Sequence, residues 1–105
     1  MKFLAQEKEV AGIQDERFTP DLLQREAARA WELQQAGVFR EMYFRSDRHE
    51  AILILECESL SAAQKALNSL PLVQSGLIQF DLAPLVPYDG FARLFEKNGT
   101  CSRHR

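Results

Sequence analysis

One glutamate in this 105-residue chain stands where its type could do chemistry. In PDLLQREAARAWELQQAG, Leu22, Leu23, Ala30 and Leu33 share one arc at about 100° per residue, and Glu26 lies inside that arc. A carboxylate on an apolar stripe is costly unless it is paired, and burial raises its pKa toward the range useful for proton transfer. The alternative is a half-buried side chain whose head reaches water or a nearby arginine, Arg29 or Arg40. Both readings are open at this point.

Other polar side chains stand in a similar position. Arg40, Glu41 and Arg45 alternate with aromatics in VFREMYFR, so some of them face a cavity and others solvent. The planar fork of Arg40 suits either a substrate carboxylate or a cross-strand glutamate. Asp81, within LIQFDLAPL, reads as a cavity acid or as an ordinary edge-strand charge. His49 falls in a hairpin turn and His104 near the C-terminus, neither of them placed as a metal ligand or a catalytic base. Cys57 reads as a small hydrophobe in a strand and Cys101 as an exposed thiol, both free. Metal-ligand spacing, a Gly-rich phosphate loop, G-x-S-x-G and GxGxxG are all missing, so no metal or cofactor is expected.

The elements that must position these residues follow from composition and period. Thirteen basic and fifteen acidic side chains, both signs interspersed, give a net charge of −2, which does not suit a nucleic-acid partner. No apolar run nears the roughly 20 residues that cross a bilayer, and MKFLAQEKEV turns charged too soon for a secretory signal, so a cytoplasmic protein is expected. The length fits a single domain, 1–96, with a polar tail, 97–105.

Residues 1–10 read as a strand whose second half is solvated or cavity-facing. Thr19, Pro20 and Asp21 start a helix over 20–36 that stops at Gly37. Runs 38–45 and 51–57 form a hairpin. Ser59 caps a second helix, which carries Leu60, Ala63, Leu67 and Leu70 on one stripe until Pro71 ends it. A fourth strand covers 77–85, and 89–95 a short helical turn. The order β-α-β-β-α-β is the split-βαβ, ferredoxin-like α+β arrangement with an antiparallel sheet. Helices cover one face of such a sheet, yet the middle strands offer apolar residues on both: Phe39, Tyr43, Ile52 and Ile54 beside Val38, Met42, Leu53 and Leu55. A second copy of the chain is expected on the free face, with the segment after Leu82 as a dimer-facing edge and arm. Otherwise Pro84 and Pro87 simply stop the edge strand from pairing further.

ELQQAGVFREMYFR, then LSAAQKALNSLPLV with a strand after it, resembles the muconolactone Δ-isomerase family of the dimeric α+β barrel superfamily. The shared pattern is Leu33, Gln34 and Gly37, then Phe39 and Arg40, then Leu67, Leu70, Pro71 and Leu72, with Leu-Pro-Leu opening the last strand. The resemblance implies a ferredoxin-like subunit whose sheets pair into a barrel, as a homodimer or a larger homo-oligomer. It also implies a double-bond shift in a small unsaturated lactone or carboxylated substrate by proton transfer, with no cofactor. Glu26 matches a glutamate of the family's first helix and stands as the base; Arg40 matches an arginine that would orient the anion. Glu41 and Tyr43 stand where the enzyme has histidine and tryptophan. Gln6, with Leu4, only partly matches the polar residues of its first strand. Those positions line the pocket in such a barrel, so Glu41, Tyr43 and Gln6 are the expected substrate contacts. The departures leave a second reading, a non-catalytic dimer that binds a small ligand or serves as an interaction module. A barrel interior filled by Phe39, Tyr43, Phe44 and Phe80 would favour it. Cofactor-free oxygenation rests on fold analogy alone.

Overall fold

Strand parity organises the first element. In β1 (Lys2–Glu9) Phe3 and Ala5 are fully buried, and Leu4 between them points to the opposite face. The computed structural model describes residues 1–95. Helix α1 (Pro20–Gln35) begins as its sequence dictates, with the Thr19 hydroxyl accepting the Leu22 N–H at 3.2 Å and proline in the first turn. It ends where Gly37 takes φ +78°, and the N–H groups of Gly37 and Val38 return to the carbonyls of Gln34 and Leu33, both at 3.0 Å. Strands β2 (Phe39–Phe44) and β3 (Ala51–Glu56) form the hairpin, and Ser59 caps α2 (Leu60–Asn68).

The Leu-Pro-Leu run does not open the last strand. Pro71 cannot prolong α2, but its fixed φ suits the start of another helix, and a single turn, α3 (Pro71–Gln74), forms there. Gly76, at φ +74°, closes that turn before β4 (Ile78–Leu85).

The strands lie in the order β2-β3-β1-β4, every neighbour antiparallel, so β3 slots between the two strands joined by α1. This is the ferredoxin-like α+β arrangement. The core joins Phe3, Ala5, Phe39, Leu53 and Leu55 of one sheet face to Leu33, Ala63, Leu67 and Leu70 of the helical layer. Each large side chain buried there stabilises the fold by about 1.5–3 kcal/mol. Pro84 falls on β4, an edge strand, where a missing N–H is tolerated.

Regular alternation fails once, in β2. Phe39 faces Leu55 and Glu41 faces Ile54, so Arg40 is an extra residue in a β-bulge. The bulge reverses the parity expected for Phe39, which joins Met42 and Phe44 on the helix-covered face while Glu41 and Tyr43 point away. The aromatic set proposed to fill a barrel is therefore divided: Phe39, Phe44 and Phe80 lie beneath the helices and Tyr43 on the free face. That free face presents Leu4, Ile52, Ile54 and Tyr43 among Gln6, Lys8 and Asp81.

Beyond β4 the chain leaves the sheet with Val86 and Phe95 75% and 81% exposed, passing through a 3-10 helix at Gly90–Leu94. The molecule measures 61 × 29 × 23 Å. The expected polar tail 97–105, with Cys101 and His104, lies outside the described residues. Among those described, no helix is long and apolar enough to cross a membrane.

Candidate active site

A second face of α1 makes the site. Leu22 and Leu33 pack into the core, while Leu23, Glu26, Ala27, Ala30, Trp31 and Gln34 recur three and four residues apart along the neighbouring stripe. That stripe and the helix-covered face of the sheet enclose a half-open cleft of about 950 Å³. Met42, Phe44, Leu53 and Phe80 form the opposite wall, Leu72 and Leu77 the floor, and the loop carrying Ile13 and Phe18 one end. An apolar cleft with a few polar groups, within the roughly 300–1,000 Å³ usual for such sites, can hold a small ring compound.

Two carboxylates reach into it from opposite walls. Glu26 on α1 accepts the Leu72 N–H at 2.9 Å, and Glu7 on β1 accepts the Ala51 N–H at 2.9 Å. Among the described residues neither carboxylate has a second protein partner. Burial is the main force raising the pKa of each above 4.5; the backbone hydrogen bond opposes it in both. The charge of Glu7 pushes Glu26 up further, while Glu50 pushes Glu7 up and His49 draws it down. His49 stacks on Phe44 at the cleft with ring centroids 3.9 Å apart. Two acids whose pKa values burial moves upward, beside an apolar space, can take up and return protons.

The structure separates the residues singled out from the sequence. Glu26 lines the cleft, and its partner is the Leu72 amide rather than an arginine: Arg29 instead reaches Ser69 and Glu32, each at 2.9 Å. Arg40 lies outside the lining, exposed at the bulge, its Nε donating to the Gly37 carbonyl at 2.7 Å. Tyr43 donates its hydroxyl to Glu41 at 2.8 Å on the free face, and Gln6 lies on that same face opposite Ile52 and Asp81. Arg40, Glu41, Tyr43 and Gln6 are thus not brought together with Glu26. Asp81 pairs with Lys8 at 3.2 Å, as an ordinary edge charge does.

Sequence reasoning passed over Glu7 and Trp31, and it left His49 in the hairpin turn without a part in the site. Parity signals Glu7, the next residue on the face of Phe3 and Ala5, and the spacing of Leu23, Ala27 and Ala30 signals Trp31. Nothing in the sequence signals His49, whose place is set by how the hairpin loop folds back. Among the described residues, no three His, Cys, Asp or Glu side chains are grouped to hold a metal ion.

The sequence matches no family model and no curated protein. Solved structures do match. A crystal structure of muconolactone isomerase superposes over 85% of this chain and 92% of its own, with a TM-score of 0.67 and 18% identity. This is the muconolactone isomerase fold. A 5-chloro-2-hydroxyhydroquinone dehydrochlorinase from Burkholderia phenoliruptrix, in complex with 2,5-dihydroxybenzoquinone, superposes over 86% of this chain and 98% of its own, with a TM-score of 0.61 and 18% identity. The resemblance drawn from Leu33–Gly37, Phe39–Arg40 and Leu70-Pro71-Leu72 is met at the level of the fold.

Proposed function

We propose that this protein is a cofactor-free proton-transfer enzyme that shifts a double bond in a small unsaturated ring compound, a lactone in the simplest case. The observation that carries this reading is the pair of half-buried carboxylates, Glu26 and Glu7, set in one apolar cleft with raised pKa values. In its ionised form Glu26 takes a proton from the γ-carbon of the α,β-unsaturated lactone ring. The electron pair delocalises into a dienolate, and a carboxylic acid returns a proton at the far end of the conjugated system. One C–H bond breaks, one forms, and no oxidant or reductant is needed. Glu7 stands ready as the second acid, since two nearby carboxyls share one negative charge more easily than they carry two. Two structural relatives, named as a muconolactone isomerase and a 5-chloro-2-hydroxyhydroquinone dehydrochlorinase, lend support through the shared fold.

A homodimer completes the proposal, its second copy covering Leu4, Ile52, Ile54 and Tyr43 on the helix-free face, in the cytoplasm. Glu41, Tyr43 and Gln6 then belong to that interface or to a space within it. A second reading, a non-catalytic small-ligand binder, is favoured by one observation: Glu26 caps α3, a structural task that would suffice to keep a glutamate there.

Proton NMR of muconolactone and simpler unsaturated γ-lactones in D₂O tests the proposal. Deuterium entering the ring with wild-type protein and not with Glu26→Gln supports it. No exchange with wild type on any of these lactones overturns it in favour of the binder.

A further inference from the structure

The charges around the cleft bear on its ligand. Among the described residues, its lining contains Glu7, Glu9, Asp15 and Glu26 but no lysine or arginine. His49 is the one lining side chain able to carry a positive charge, and it is stacked on Phe44. Of the cations next to lining residues in the chain, Lys8 pairs with Asp81 at 3.2 Å, Arg48 with Glu50 at 3.1 Å and Arg25 with Asp21 at 3.2 Å, and Arg17 stands outside the lining. Arg40, the natural clamp for a carboxylate, holds the Gly37 carbonyl outside the cleft. A ligand carboxylate entering here would leave water, meet like charges and find no guanidinium or ammonium in the described lining to pair with. The aromatic and aliphatic walls, Trp31, Met42, Phe44, Phe80 and Leu72 among them, match instead the faces of an uncharged ring.

We infer that the substrate of this cleft carries no carboxylate and is an uncharged, oxygenated, unsaturated ring compound. This rests on the proton-transfer reading for its chemistry but not for its charge.

Binding tests it apart from turnover. Trp31, the chain's single tryptophan, lines the cleft and reports occupancy by its fluorescence. The two probes are muconolactone and its primary carboxamide, equal in size and differing by one negative charge. On the full-length wild-type protein at neutral pH and low salt, the carboxamide should bind about tenfold more tightly or better, and added salt should narrow the gap. Binding of the acid as tight as that of the amide, or tighter, overturns the inference, and so does failure of both to bind. Deuterium exchange followed on the same samples separates the two ideas. Amide binding without exchange leaves the charge inference standing and removes the catalytic one; exchange on the acid with no preference for the amide does the reverse.

Discussion

Glu26 on α1 and Leu72 in α3 are joined by one hydrogen bond, 2.9 Å from carboxylate to backbone N–H, across 46 residues of chain. Pro71 has no N–H to offer, so the Leu72 amide is the first free donor of α3, and Leu70 before it supplies no side-chain cap. One carboxylate therefore closes a helix end and faces a cleft, and variants can pull the two tasks apart.

Glu26→Gln keeps an oxygen for the Leu72 amide, whereas Glu26→Ala removes it. Denaturant melts should show Glu26→Ala destabilised by about 1 kcal/mol, the usual worth of such a cap, and Glu26→Gln little changed. Deuterium exchange should fall on the order of 10²- to 10⁴-fold in both if Glu26 is the base. A Gln variant that melts normally and still exchanges would confine Glu26 to capping.

Burial gives Glu7 and Glu26 a pH signature. Their folded pKa values lie above 4.5, so folding favours the protonated forms. Their contribution to stability is fully present below the ordinary glutamate value and is lost as pH rises through the raised ones. The double variant Glu7→Gln, Glu26→Gln should melt higher than wild type at neutral pH, the difference vanishing in acid. Thermal melts across that range check it, and a difference that grows toward acid would contradict it.

Gly76 ends α3 at φ +74° with open space where a Cβ would stand. Gly76→Ala should therefore cost only the left-handed backbone penalty, about 1–2 kcal/mol in a denaturant melt. A neutral outcome would mean that the turn relaxes to another conformation.

Ile54 lies beside Leu4 on the helix-free face. Ile54→Lys should convert the proposed dimer to a monomer in sedimentation while leaving the circular dichroism of the subunit unchanged. A wild type that sediments as a monomer would remove the dimer outright.

Much of the fold was legible because its signals are local. Thr19 with Pro20, Gly37 and Ser59 mark helix ends by chemistry that acts within a few residues, and the first half of β1 alternates while β3 is a short β-branched and aliphatic run. Arg40 gave no such signal: one extra residue in a strand looks like any other, and only pairing with β3 exposes it. The same limit governed the site. Glu26 could be read from its own helix, but Gln6 and Glu7 are adjacent, and a choice between them turns on which parity meets the helices. His49 and the Pro71 turn depend on contacts between distant segments, which the local pattern does not carry.

The bulge at Arg40 makes β2 a segment with two frames. Deleting that single residue would leave Phe39 opposite Leu55 and Glu41 opposite Ile54 in a regular ladder, with Met42 and Phe44 still facing the cleft and Tyr43 still facing away. Loss of one codon at this point is thus absorbed by the bulge, with the cleft lining and every other element unmoved. The length of the chain can then vary by one residue here without any change in what the cleft recognises.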